Sequence, residues 1–246
     1  MNKKGFTLLE VILFLAISSS LALVAFVGLG PRLLNVRFTD SVRGIEASIK
    51  SNLASSSKGQ NIRAGSITCV KAGKSISVDA VPSGTSAGSG GDCIINGVAV
   101  LMDGGSQNKI LYRQIVSLRE KSNDPSCINA PDDFRKIIAC YKSQVVDKPG
   151  TATTYNLTNG MKQITQGSKT KFGFMRIVDP ESNAEYFAEI SPNGYGFFSG
   201  SINALNPIYD KTHSFDVCYQ LGNRKARLIF SNFKTSPDVR FEEECT

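Results

Sequence analysis

The hydrophobic residues of this chain begin with one long apolar stretch near the N-terminus. From Phe6 to Gly30 the only charged residue is Glu10. A helix over this stretch reaches roughly 38 Å, which exceeds the hydrocarbon core of a bilayer at about 30 Å. The pattern therefore predicts a membrane-spanning helix over residues 6–30.

Beyond Pro31 the apolar residues recur every three or four positions, which places them on one face of a helix. They are Leu34, Phe38, Val42, Ile45, Ile49 and Leu53. The spacing predicts an amphipathic continuation over residues 31–58, with helix to about Ser56 and its end at Lys58 and Gly59. Pro31, with the glycines before it, is expected to bend or locally melt the helix near residues 28–31.

After residue 59 the spacing changes to that of short strands, and an antiparallel, β-rich domain is predicted over residues 59–246. The predicted strands are Ser66–Lys71, Ser75–Val81, Cys93–Met102, Ile110–Leu118, Lys171–Val178, Ala184–Ile190, Tyr195–Phe198, Phe215–Leu221 and Lys225–Phe230. Gly222-Asn223 marks the clearest hairpin. A short helix is predicted within Pro131–Val146, with Pro131 in its first turn. The fold class is therefore α+β.

Glu10 is the one charge inside the apolar segment, where a carboxylate costs about 2.5–3.5 kcal/mol or more. One interpretation places it at the membrane surface near the start of the helix, where the helix dipole favours a negative charge. If the helix begins at Phe6, however, Glu10 lies one turn inside and needs a cation, which the segment lacks. A free amine at Phe6 of a neighbouring subunit, created by cleavage after Gly5, would supply one.

Residues 5–11, GFTLLEV, follow a short basic leader and closely resemble the class III signal of type IV pilins and pseudopilins. The resemblance implies that prepilin peptidase removes the leader, residues 1–5, by cleaving between Gly5 and Phe6, and that Phe6 is then N-methylated. It also implies that Glu10 pairs with the N-terminus of an adjacent subunit during assembly. Lys3 and Lys4 ahead of the apolar segment predict a cytoplasmic N-terminus.

The net charge of +7 and the pI near 9.1 permit binding to nucleic acid or anionic surfaces without requiring it. Basic residues exceed Asp40 and Glu46 between positions 32 and 74: Arg32, Arg37, Arg43, Lys50, Lys58, Arg63, Lys71 and Lys74. A solvated helix face is one explanation, and contact with lipid, neighbouring subunits or DNA is another. Arg224, Lys225 and Arg227 add a second basic cluster.

The six cysteines are Cys69, Cys93, Cys127, Cys140, Cys218 and Cys245. Their wide spacing, behind an export-like segment, favours disulfides in an oxidising compartment. Pairing of sequence neighbours is the preferred arrangement: Cys69–Cys93, Cys127–Cys140 and Cys218–Cys245. With His213 as the only histidine and no CxxC pair, no metal site and no cofactor are predicted. No catalytic motif is present, so the chain is not expected to be an enzyme.

The resemblance implies the type IV pilin architecture, in which a long helix packs its second half on an antiparallel sheet. We interpret the chain as a minor pilin that is inserted in the bacterial inner membrane and then assembled into an extracellular pilus. Its partners would be other pilin subunits, the inner-membrane assembly platform, the peptidase and, before assembly, membrane lipid. Its globular domain would serve tip priming, adhesion or DNA uptake.

Two alternatives remain open. The first is a pseudopilin of a type II secretion or competence system, acting in a short periplasmic fibre. Residues 216–245 loosely resemble the C-terminal sheet of the H-type minor pseudopilins (GspH/FimT type), with a basic strand–turn–strand followed by a terminal strand. The second is a fibre-tip module that binds DNA or a host surface.

Overall fold

The computed structural model divides the chain into two compact units, Met1–Asp40 and Ser41–Thr246. The residues that it describes are 7–57, 68–72, 75–79, 85–86, 93–103, 108–123, 125–146, 153–164, 171–190, 205–208, 214–231, 237–242 and 245. The predicted strand at Tyr195–Phe198 lies outside these ranges, as do the leader and the predicted helix end at Lys58 and Gly59.

The first element is the helix α1, Leu8–Ser57, which is α-helical over its whole length. The local melting considered for residues 28–31 is therefore wrong. The predicted apolar stripe is confirmed at five positions that are at most 3% exposed: Phe38, Val42, Ile45, Ile49 and Leu53. Leu34 continues the spacing but is 52% exposed, so the stripe is buried only from Phe38 onward. Over the part of the chain that the structure describes, no helix has both the length and the mean hydropathy of a membrane span.

The remaining described chain forms antiparallel sheets and two short helices. A three-stranded sheet, in the order β2-β1-β3, contains β1 (Thr68–Ala72), β2 (Ser75–Asp79) and β3 (Thr85–Ser86). The helices are α2 (Pro125–Ile128) and α3 (Asp133–Cys140). Asp132 caps α3, because its side chain accepts the Arg135 amide at 2.7 Å. The prediction of Pro131 in the first turn and of helix up to Val146 is corrected: α3 starts at Asp133, ends at Cys140, and is followed by a strand.

The largest sheet has seven strands and is called here the central sheet. Its strands are β4 (Cys93–Asp103), β5 (Lys109–Leu118), β6 (Gln144–Val145), β7 (Thr153–Asn156), β9 (Lys171–Val178), β10 (Glu185–Ile190) and β11 (Leu205–Ile208). The order is β11-β10-β9-β4-β5-β6, and β7 pairs with β5. The order places β9 beside β4, although the two strands are far apart in the sequence.

Both faces of the central sheet are covered. On one face, Ser48 of α1 hydrogen-bonds to the Tyr112 hydroxyl of β5 at 2.9 Å. On the other face, Met175 and Ile177 of β9 share a buried cluster with Phe134 of α3. Because successive side chains of a strand point to opposite faces, one strand contributes to both layers.

A four-stranded sheet in the order β14-β13-β12-β8 completes the fold. Its strands are β8 (Lys162–Ile164), β12 (Ser214–Leu221), β13 (Arg224–Ser231) and β14 (Asp238–Glu242). The predicted hairpin is confirmed, since β12 and β13 pair up to Leu221 opposite Arg224. Gly222 has φ 59°, in the left-handed region that favours glycine. Phe230 contacts Phe174 of the central sheet, with ring centroids 4.9 Å apart.

Candidate functional site

The predicted assembly residue Glu10 lies in the first turn of α1 with an exposed side chain. The expectation that Glu10 sits one turn inside the helix is therefore corrected, because α1 begins at Leu8. In this position the carboxylate lies at the positive end of the helix dipole, which favours its charge. Gly5 and Phe6, the predicted processing residues, lie outside the described residues.

Thr7 forms the start of α1 and was missed in the sequence analysis. Its hydroxyl accepts the Glu10 amide at 3.3 Å, and its carbonyl accepts the amides of Glu10 at 3.1 Å and Val11 at 3.2 Å. The order Thr7-Leu8-Leu9-Glu10 has the spacing of a capping box, a threonine followed three positions later by glutamate. That spacing was the available signal, and it couples the helix start to the placement of Glu10.

The first half of α1 carries a continuous series of exposed apolar side chains. They include Leu8, Leu9, Phe14, Val24 and Phe26, each at least 69% exposed. Soluble monomers rarely expose apolar patches of this extent, and such surfaces mark contact with protein or membrane. This part of α1 therefore needs a covering partner.

Two serines within this apolar surface satisfy their own hydroxyl groups. Ser19 donates to the Leu15 carbonyl, and Ser20 donates to the Ile17 carbonyl at 2.8 Å. A hydroxyl that bonds within its own helix does not need water. The polar interruption at these serines is therefore compatible with an apolar environment.

The basic cluster of the first helix is exposed where the structure describes it. Arg32, Arg37, Arg43 and Lys50 all have exposed side chains. The side chains of Lys58, Arg63, Lys71 and Lys74 lie outside the described residues.

In the C-terminal hairpin, Arg224 is exposed, but Arg227 forms ion pairs with Asp216 at 3.3 Å and Glu242 at 2.9 Å. These two carboxylates compensate the charge of Arg227. The hairpin is therefore a weaker anion-binding candidate than its sequence indicates.

Two disulfides join cysteines that are neighbours in sequence. Cys127 pairs with Cys140, with Cα atoms 4.5 Å apart, and Cys218 pairs with Cys245, with Cα atoms 6.2 Å apart. Cys93 is disulfide-bonded as well, and the side chain of Cys69 lies outside the described residues. Within the described ranges, no group of three or more His, Cys, Asp or Glu side chains could hold a metal ion.

A comparison with protein families gives one match, which coincides with the residues discussed above. Residues 1–26 match the family model for the prokaryotic N-terminal methylation motif. The match includes the Gly5-Phe6 junction, Thr7 and Glu10, and it stops before the basic part of α1. No curated protein and no solved structure matches the chain.

Proposed function

The chain is a prepilin of the type IV pilin and pseudopilin type, and on that premise we propose that it is a minor pilin of a type IV pilus. The methylation motif over residues 1–26 carries this proposal. It marks structural subunits that are processed by prepilin peptidase and assembled with other pilins. The exposed apolar half of α1 supports the proposal, because a fibre of packed helices would cover that surface.

The proposed pathway begins with a precursor held in the inner membrane by residues 6–30, with the N-terminus in the cytoplasm. Cleavage between Gly5 and Phe6 creates a new amine, which is N-methylated. The Glu10 carboxylate, held in the first turn of α1, then pairs with the Phe6 amine of an adjacent subunit. Pairing stabilises assembly because a carboxylate in hydrocarbon is costly and a partner cation lowers that cost.

A pseudopilin is the second candidate, and the C-terminal sheet favours it. The strands β12, β13 and β14 form a strand–turn–strand followed by a terminal strand, the arrangement on which the resemblance to H-type minor pseudopilins rests. A DNA-binding role has less support. It depends on exposed helix residues such as Arg43 and Lys50, since Arg227 is compensated by carboxylates.

Glu10→Val tests the assembly role of the carboxylate. We expect the variant to be cleaved and retained in the membrane, but to enter sheared surface fibres at a small fraction of the wild-type level. The measurement is the ratio of processed protein in fibre and envelope fractions, by immunoblot. Glu10→Gln should show the same defect, because it also lacks the charge.

Asp40→Asn is the matched control, since Asp40 is an exposed acidic residue on the same helix outside the motif. It should assemble like the wild type. Wild-type incorporation of Glu10→Val would exclude charge pairing. A failure of Glu10→Val to be cleaved would mean that the residue acts in processing instead.

A further inference from the structure

A cavity on the α3 side of the central sheet has no role in helix-driven assembly. It lies between α3 and the turn after β9, and Tyr186 of β10 contributes to its wall. Its volume is about 130 Å³, or about 410 Å³ with its open mouth. The larger value is at the low end of the roughly 300–1,000 Å³ typical of small-molecule sites. The cavity therefore suits a ligand about as large as one small ring.

Tyr141 gives this cavity an unsatisfied polar group. Its side chain is only 1% exposed, and its hydroxyl has no hydrogen-bond partner among the described residues. Burial raises the pKa of Tyr141, and the negative charges of Asp179 and Glu181 raise it further. The hydroxyl therefore stays protonated at neutral pH and can both donate and accept. A buried hydroxyl without a partner is unfavourable, so a ligand or water that bonds to it is stabilised.

The charged groups at the cavity largely compensate one another. Lys121 and Lys136 face Asp133 and Asp179 across the lining, and Lys121 is already bound to Glu181 at 2.6 Å. Asp179 accepts the Ser182 hydroxyl at 2.6 Å. A free anion would meet the carboxylates and a free cation would meet the lysines, so neither gains a uniform field. The lining instead offers separate hydrogen-bond donors and acceptors.

The remaining wall is apolar and aromatic. Ile137 and the Cys140 end of the Cys127–Cys140 disulfide line the cavity together with Tyr186. Aromatic rings provide large contact surfaces with a polar tip. A matching ligand must therefore carry several hydroxyl groups at its edge and an apolar face, with no net charge.

We propose that this cavity binds a neutral sugar residue, either free or at the end of a glycan, with the Tyr141 hydroxyl hydrogen-bonded to it. Asp133, Asp179 and Lys136 would bond to other hydroxyls of the ring. The apolar face of the ring would pack on the tyrosine side of the cavity. This activity goes beyond fibre assembly and does not depend on it.

The test uses the full chain in a polyoxyethylene detergent, which has no sugar head group. Saturation-transfer NMR is recorded with free glucose, galactose and N-acetylglucosamine, and with their methyl glycosides, which imitate a glycan end. We expect at least one neutral sugar to bind with saturation in the millimolar range. Stronger binding of a methyl glycoside than of the free sugar would indicate a glycan end, and the reverse would indicate a free sugar.

Tyr141→Phe removes only the hydroxyl and should weaken binding roughly 3- to 10-fold, the effect of one hydrogen bond. Tyr155→Phe, which removes a tyrosine hydroxyl outside the cavity, should leave binding unchanged. Lys136→Gln gives a second readout at an exposed position and should also weaken binding.

Three results would overturn the proposal. One is the absence of any sugar signal, which would leave the hydroxyl with ordered water only. Another is unchanged binding in both Tyr141→Phe and Lys136→Gln, which would place the sugar elsewhere. The last is tighter binding of choline or glycine than of every neutral sugar, which would make the site one for charged ligands.

Discussion

Gly44 allows α1 to approach the central sheet closely. A Cβ atom added at Gly44 would lie 2.5 Å from the Tyr155 hydroxyl oxygen, a distance that forces the tyrosine or the helix to move. The helical spacing of the buried stripe does not reveal this requirement. Which helix position faces a bulky strand residue depends on contacts between distant parts of the chain.

Gly44→Ala should lower the free energy of unfolding by about 1–3 kcal/mol, the usual cost of overpacking. This loss occurs although alanine is the better helix former by about 1 kcal/mol. Chemical unfolding followed by circular dichroism measures the change. Adding Tyr155→Phe to Gly44→Ala should recover part of the loss, because it removes the clashing oxygen.

Gly30→Ala is the control on the same helix, since no atom lies within 4 Å of the added Cβ. It should leave stability unchanged or raise it slightly. A similar loss in both variants would show that the helix itself, rather than the contact with Tyr155, requires glycine.

Arg176 links α1 to the central sheet at the level of whole elements. This buried side chain donates to the Leu53 carbonyl in the last turns of α1 at 2.6 Å. It also forms a two-point ion pair with Glu185 of the neighbouring strand β10. The guanidinium lies 6.0 Å from the Phe187 ring centroid. One residue therefore contacts a helix end and an adjacent strand, and its planar, multi-donor shape is suited to this.

Arg176→Met should lower the free energy of unfolding by about 3 kcal/mol, the low end for a broken buried ion pair. The low end applies because the Glu185 side chain remains 37% exposed and keeps some hydration. Arg176→Lys should also be destabilising, since an ammonium group cannot make all these contacts. Equilibrium unfolding in urea provides the comparison.

Lys121→Met is the matched control, because it breaks an ion pair with Glu181 whose two side chains are 45% and 58% exposed. Exposed pairs contribute about 0–1 kcal/mol. If Arg176→Met costs no more than Lys121→Met, the buried contacts of Arg176 do not stabilise the junction between helix and sheet.

At the scale of the whole molecule, the proposed function predicts where the protein is found. Surface fibres sheared from cells should contain this chain without residues 1–5 and with methylated Phe6 at its N-terminus. Mass spectrometry of sheared and envelope fractions measures both properties. Processed protein in the envelope fraction alone would contradict the minor-pilin proposal and favour the pseudopilin.

Local patterns predicted the elements that depend on neighbours in sequence. The stripe from Phe38 to Leu53 and the hairpin at Gly222 follow from helical spacing and turn chemistry, and both are confirmed. Arg176 could not be identified in the same way. A single arginine within an apolar strand gives no sign of whether it faces solvent, a helix end or a carboxylate on another strand.

The sequence by itself determined the prepilin signal and the long helix, because both are encoded in contiguous residues and their spacing. It also limited the disulfide choices and identified the carboxylate at Glu10. Only the tertiary structure decided that β9 pairs with β4, that α3 covers the second face of the central sheet, and that Tyr141 lines a cavity without a hydrogen-bond partner. These features join residues that are distant in sequence, so they depend on which surfaces pack together once the chain folds.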